Sequence, residues 1–381
     1  MGKKVKILIF SIIVIVIVTL AIIIVKSYNI VTPYNIVSQK ATQLPKEEGI
    51  TVVPTMRDKI TADSSWCGTF QLVWNDMKNN VVKQDIIFSP QEKMAENLNK
   101  EEFTQEMISD ESYFKTYGLK TLDLKEEIEK GIKEKFNQES DILDKFDWSE
   151  NELDNPNDSD TKRYFFYVML YRNFEFLKEF DKLENGTFGD EYNNVEYFGI
   201  DENTKNSIGN QITVLYYNSK DDFAIVVKTK SNDEVIFNKG PQGKTFKEIY
   251  ENMNKKSKNY TGSKDFKDVD YFKAPNLKFD EIKEYTELQN KQFKTADPTY
   301  NTAEIAQAIQ SIKFTLNEKG GEIKSEAAID MVMIGAAVGP AVKKDEPRYF
   351  YLDDTFAIFL REKGKSLPYF AGRIEDITKF Q

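Results

Sequence analysis

Residues 7 to 25, ILIFSIIVIVIVTLAIIIV, form an unbroken apolar run without a charge. A helix of that length spans a bilayer core. Lys3, Lys4 and Lys6 precede the run and only Lys26 follows closely. The positive-inside rule then keeps the N-terminus in the cytoplasm and carries the rest outside. No small-x-small cleavage site follows, and no Cys stands near the end of the run for a lipid anchor. A retained signal-anchor is therefore expected rather than a cleaved peptide. On this reading residues 1–6 are a cytoplasmic tail and 7–25 a transmembrane signal-anchor. Residues 26–60, with Pro33, Pro45 and Pro54, are an extracellular stalk, and 61–381 fold outside a single-pass cell membrane protein.

The chemistry open to that domain is narrow. The chain has no His and one Cys. Ser-His-Asp and Cys-His catalysis both need an imidazole, and His-ligated or Cys-cluster metal sites are excluded in the same way. The net charge of −10 speaks against a phosphate-backbone partner, which clustered Lys and Arg would attract. No cofactor, no metal and no nucleic acid are expected. Cys67, in SSWCGTFQL, reads as a small buried thiol at a helix start.

Periodicity places helices first and strands later. Phe70, Val73, Trp74 and Met77 mark an amphipathic helix, and Leu124, Ile128, Ile132 and Phe136 mark a second with one narrow apolar stripe. DIIFSP (85–90) reads as a short strand, and residues 147–162 as a solvated acidic loop. Strand signals then follow in RYFFYVML, ITVLYYN, FAIVVKTK, EVIFN, VDYFKAPNLKF, SIKFTL, TFAIFL and YFAGRIED. No regular βαβ alternation appears, so the expected class is α+β with mostly antiparallel sheets.

The segment NEKGGEIKSEAAIDMVMIGAAVGPAVKKDEP (317–347) lies between two of these strands. It is too long for a hairpin loop and too apolar for a solvated linker. From 321 to 333 it alternates. Gly321, Ile323, Ser325, Ala327, Ile329, Met331 and Met333 share one side, and Glu322, Lys324, Glu326, Ala328, Asp330 and Val332 the other. This is the pattern of a strand with one buried face and one charged, solvated face. GAAVGP and AVKKDE beyond it read as exposed loop. The segment fits a permanent strand, and equally a mobile loop able to add itself to a sheet.

From about residue 64 onward the chain resembles the serpins, most clearly near its end. IKFTLNEKGGE and SEAA resemble the strand and hinge that lead into a serpin reactive loop. DDTFAIFL resembles the family's Asp-x-Pro-Phe strand, with Thr355 in place of Pro. Phe370, Gly372 and Arg373 match its closing segment. Phe176 stands where the family has Trp, Phe180 matches a later Phe, and Phe88, Ser89 and Pro90 match the strand entering the shutter. Two features depart from the family. QEKMAENLNKEEF follows Pro90 where small residues are usual, and Ile323 is bulky where inhibitors prefer Ala.

The resemblance implies a serpin-like fold, with N-terminal helices packed on large sheets and a reactive loop at 318–347. It implies no enzyme activity. A protease would cleave the loop, and the freed limb would insert as a new strand and trap it. The hinge would comprise Glu318, Gly320, Gly321, Glu322, Ser325, Glu326, Ala327 and Ala328. The family's spacing puts the target bond at Ile334-Gly335, and a second register at Val338-Gly339. Either favours an extracellular subtilisin-like or elastase-like partner. Two other readings stand beside this one. The first is a non-inhibitory serpin-like binding scaffold at the cell surface, and the second an unrelated anchored enzyme or adhesin.

Overall fold

The computed structural model describes residues 49–148, 162–202, 206–327 and 346–381. The segments read as cytoplasmic tail (1–6), anchor (7–25) and stalk as far as residue 48, and most of the acidic loop, lie outside these. Among the described residues no helix is long and apolar enough to cross a membrane.

The described chain begins with β1 (Thr51–Val52), β2 (Ser64–Cys67) and α1 (Thr69–Asp76). Here the stalk boundary needs correction. Ile50, Val52, Val53 and Met56 are buried, and β1 pairs with β2 in parallel. Pro54 ends a short strand rather than marking a linker, so residues 49–60 belong to the folded domain. Cys67 is fully buried just before α1. The helix carries more than one apolar stripe, because residues Thr69 to Asn75 are all buried. Its polar members are satisfied internally: Gln71 donates to Asn75 Oδ1 and to the Leu98 carbonyl, both at 2.8 Å.

DIIFSP forms no strand. Asn99, which follows α2 (Lys93–Leu98), takes the place of a partner strand. Its amide donates to the Ile86 carbonyl at 2.8 Å and accepts from the Ile86 N–H at 3.2 Å and from Trp74 Nε1 at 3.0 Å. Asn99→Ala leaves three polar groups without these bonds, and the expected loss is about 1–3 kcal/mol, read from urea unfolding midpoints. An unchanged midpoint would mean that water replaces the amide.

Beyond β3 (Tyr113–Leu119), the second predicted helix is α3 (Leu122–Phe136). Thr121 Oγ1 caps it by accepting from the Leu124 N–H, and Asn137 closes it in the left-handed region at φ 54°. Leu124, Ile128 and Ile132 pack on Phe165, Tyr167 and Met169. These belong to β4 (Tyr164–Glu175), so α3 lies across one face of that strand's sheet. Val168, Leu170 and Phe174 alternate with them and face the main core.

The remaining strands are β5 (Asp181–Phe188), β6 (Tyr192–Ile200), β7 (Ile212–Ser219), β8 (Asp222–Lys228) and β9 (Asp233–Lys239). After α4 (Phe246–Asn259) come β10 (Tyr271–Pro275), β11 (Leu277–Glu284), β12 (Gln292–Lys294), β13 (Thr302–Glu304), β14 (Ile309–Asn317) and β15 (Gly320–Ala327). The last three are β16 (Tyr349–Tyr351), β17 (Phe356–Glu362) and β18 (Phe370–Ile374). VDYFKAPNLKF, read as one strand, is two: it breaks at Asn276 and serves two different sheets. Among the described residues the sheets run β1-β2-β18-β17-β9-β8-β7, β16-β10-β6-β5 and β11-β14-β15-β4-β3, with a β12-β13 pair apart. Only β1-β2 and β10-β16 are parallel among these pairs.

Candidate functional site

Within the first third of the long segment, β15 is a central strand. It lies between β14 and β4 and is antiparallel to both. Asn317 pairs with Gly320, so Glu318 and Lys319 form the turn that feeds it. Lys319 N–H donates to Asn317 Oδ1 at 2.9 Å. The Glu318 side chain is buried, 3.4 Å from Lys182, and its carbonyl accepts from the Phe180 N–H at 2.9 Å.

Two glycines admit the strand. Gly320 has φ +147°, and a Cβ there would stand 2.1 Å from the Phe174 carbonyl oxygen. A Cβ on Gly321 would meet the Thr315 carbonyl oxygen at 2.4 Å and the Phe174 ring at 2.8 Å. Ile323, which the resemblance marks as bulky, is fully buried in the main core beside Phe314 and Arg172. Ser325 points the same way. Its hydroxyl donates to the Ser311 carbonyl and shares a 2.9 Å hydrogen bond with Thr69 Oγ1. Gln310 Nε2 donates to the same Thr69 oxygen at 2.9 Å.

The opposite face was expected to be solvated, and it is not. Glu322 is half-buried, and its carboxylate accepts from Tyr171 OH at 2.8 Å. Lys324 and Glu326 are buried. The chain that leaves α3 covers them. Lys324 Nζ donates to the Glu139 carbonyl at 2.6 Å and pairs with Asp141 at 2.8 Å. Glu326 accepts from Ser140 Oγ at 2.6 Å, from Tyr167 OH at 2.6 Å and from the Asp141 N–H at 2.8 Å. Alternation correctly separates the two faces, but it cannot say that residues 139–141 close over one of them.

Burial raises the Glu326 carboxyl above its ordinary range, against the lowering by Ser140, Tyr167, the Asp141 N–H and Lys324. Burial and the adjoining carboxylate together push the Tyr167 phenol well up. For Asp141 burial works in the same upward sense, but hydrogen bonds from Lys324 and Lys313 outweigh it and hold the carboxyl low. Burial raises the Cys67 thiol as well. A buried thiol of raised pKa is a poor nucleophile.

Of the residues read as hinge, Glu318, Gly320, Gly321, Glu322, Ser325, Glu326 and Ala327 lie in or beside β15. Ala328 and both candidate bonds, Ile334-Gly335 and Val338-Gly339, lie outside the described residues. Pattern reading missed Thr69, Gln310, Ser140, Asp141 and Tyr167. Tyr167 carried a signal, as a phenol on the α3 side of an apolar strand. Ser140 and Asp141 carried none, since they sit in a charge-rich stretch.

No family model matches the chain, and no curated protein matches it. Solved structures to which it is similar include a cleaved serpin, Serpin 42Da, at 15% identity and a TM-score of 0.42. The match covers 66% of this chain and 65% of that one. Serpin48 of the insect Tenebrio molitor is 15% identical with a TM-score of 0.37, over 66% of this chain and 64% of that one. Human thyroxine-binding globulin complexed with thyroxine is 12% identical with a TM-score of 0.39, over 66% and 63%. The chain thus spans less than two thirds of the length of each. The resemblance implied N-terminal helices packed on large, mostly antiparallel sheets; the described residues form an α+β fold of large mixed sheets with few helices.

Proposed function

We propose that this chain is an extracellular, membrane-anchored serpin-like protease inhibitor, with residues 318–347 as bait and β15 as the first part of an inserting strand. One observation carries this reading: the described residues fill only part of the slot that β15 occupies. Along β4 the strand pairs from Glu175 down to Val168, and along β14 from Asn317 down to Ser311. Below that level Tyr164 to Tyr167 and Ile309 to Gln310 have no strand neighbour on the slot side among the described residues. Cleavage at Ile334-Gly335 or Val338-Gly339 frees the limb to extend into this lower part. An aliphatic residue before the cut suits an extracellular subtilisin-like or elastase-like protease. The anchor at 7–25 holds the domain at the cell membrane, outside.

A second reading, a non-inhibitory binding scaffold at the cell surface, is favoured by a different observation. β15 lies in the sheet of an uncut chain. Eighteen residues, 328–345, then lead to Glu346. They reach at most about 60 Å, enough to double back along a strand of about 26 Å. The uncut chain therefore tolerates the inserted strand.

Proteolysis of the full chain in detergent separates the readings. For an inhibitor, a subtilisin-like or elastase-like protease gives a covalent complex on denaturing gels, a cut near 334 or 338, and a rise in Tm of more than about 10 °C. A rise of that size corresponds to several kcal/mol for a domain this large. A cut with neither complex nor rise would leave the scaffold reading.

A further inference from the structure

We propose that insertion of β15 takes up a proton on Glu326, so that acid surroundings drive the strand into the sheet. This rests on the reading of β15 as an inserting strand.

Charge accounting carries the proposal. Inside the sheet Glu326 has no exposed surface. The charged and titratable groups around it come from every element packed there. Tyr167 stands on β4, Lys324 on β15 itself, Asp141 on the covering chain, Lys313 on β14 and Asp280 on β11; Glu139 offers only its carbonyl, because its carboxylate is exposed and faces Lys133 on α3. Lys324 is 3.5 Å from Glu326 but 2.8 Å from Asp141. Lys313 is also spent, at 3.0 Å from Asp141 and 3.2 Å from Asp280. Two ammonium groups thus serve three carboxylates, and the most deeply buried carboxylate has the weakest share. One proton neutralises the cluster.

The hydrogen bonding accepts that proton. Ser140 Oγ and Tyr167 OH both meet Glu326 Oε2 at 2.6 Å. A hydroxyl donates or accepts. The protonated Oε2 therefore donates to one hydroxyl and accepts from the other, while Oε1 keeps the Asp141 N–H. Out of the sheet the same carboxyl is solvated and returns to its ordinary value of 4.5. Burial raises it in the inserted state. The contribution to insertion is therefore full below 4.5 and is lost as pH rises through the raised value.

The test is hydrogen exchange on the full chain, reading the amides of 168–175 and 311–317 that β15 covers. It is run at about pH 5 and about pH 7.5, corrected for intrinsic exchange, since linkage bounds the effect at tenfold per pH unit. In the wild type the open population is expected to fall at least tenfold on going to the lower pH. Glu326→Gln keeps the shape, cannot ionise, and should be equally protected at both. Tyr167→Phe should fold and keep a pH response. Equal protection of the wild type at both pH values overturns the proposal, as does an unchanged pH response in Glu326→Gln. Either result leaves the bait reading standing; that reading fails separately if a loop cut changes neither Tm nor complex formation.

Discussion

Arg172→Met is expected to cost about 3–5 kcal/mol of stability, the size seen when one partner of a buried ion pair is removed. Arg172 lies on β4, on the face opposite α3, and is nearly inaccessible. Its Nε is 3.2 Å from Asp233, its Nη2 donates to Glu362, and its Nη1 donates to Ser112 Oγ at 2.6 Å. Asp233 and Glu362 are buried on β9 and β17. One guanidinium therefore ties the β15-containing sheet to the seven-stranded sheet behind it. Methionine fills much of the volume but leaves two buried carboxylates facing each other. Burial already raises the Asp233 carboxyl despite the arginine. In the variant Asp233 is driven further toward the neutral form, so the deficit should shrink as pH falls. Guanidinium unfolding at two pH values measures it. A loss below about 1 kcal/mol would mean that the two sheets are held by apolar packing alone.

Gly320→Val should expel β15. Valine at φ +147° is strained by about 1–3 kcal/mol. Its Cβ would overlap the Phe174 carbonyl, and overpacking adds about 1–3 kcal/mol. No flexible side chain can yield there, because the obstacle is backbone on β4. The amides of 168–175 and 311–317 should lose protection, while α4 and the β8-β9 pair keep theirs. A loop cut in this variant should give no rise in Tm. Retained protection in both segments would show that β4 shifts to admit the side chain.

Much of this fold is visible in the residues alone, for reasons that are local. Leu124, Ile128 and Ile132 repeat with the pitch of a helix, and their partners Phe165, Tyr167 and Met169 repeat with the pleat of a strand. Gly320, Gly321 and the alternation through Glu326 describe a strand that passes close to a neighbouring backbone. What stays hidden depends on distant chain. Nothing near Glu326 announces that Asp141, 185 positions away, donates its N–H to that carboxylate. The same holds for Asn99 standing in for a strand beside Ile86, and for Ile50 to Met56, where a proline in a polar setting masks apolar residues bound for the core. The charge cluster around Arg172 joins four segments and has no pattern in any one of them.

The path back from Ala327 has a mechanical consequence. β16 pairs with β10, and β10 runs through Asn276 directly into β11, whose Leu277 pairs with Leu316 level with Gly321. β16 therefore lies toward the end where β15 began, and the covalent connection from Ala327 leads there. Tension on it pulls β15 from its tip, against one or two hydrogen bonds at a time, rather than sliding the strand lengthwise against all of them at once. Any pull on that connection would peel the strand, and Glu326 would be the first buried anchor to leave. After a cut that lever is gone, and withdrawal would have to break the whole ladder together. The same strand would thus be easy to peel while the connection is whole and hard to withdraw if it were broken.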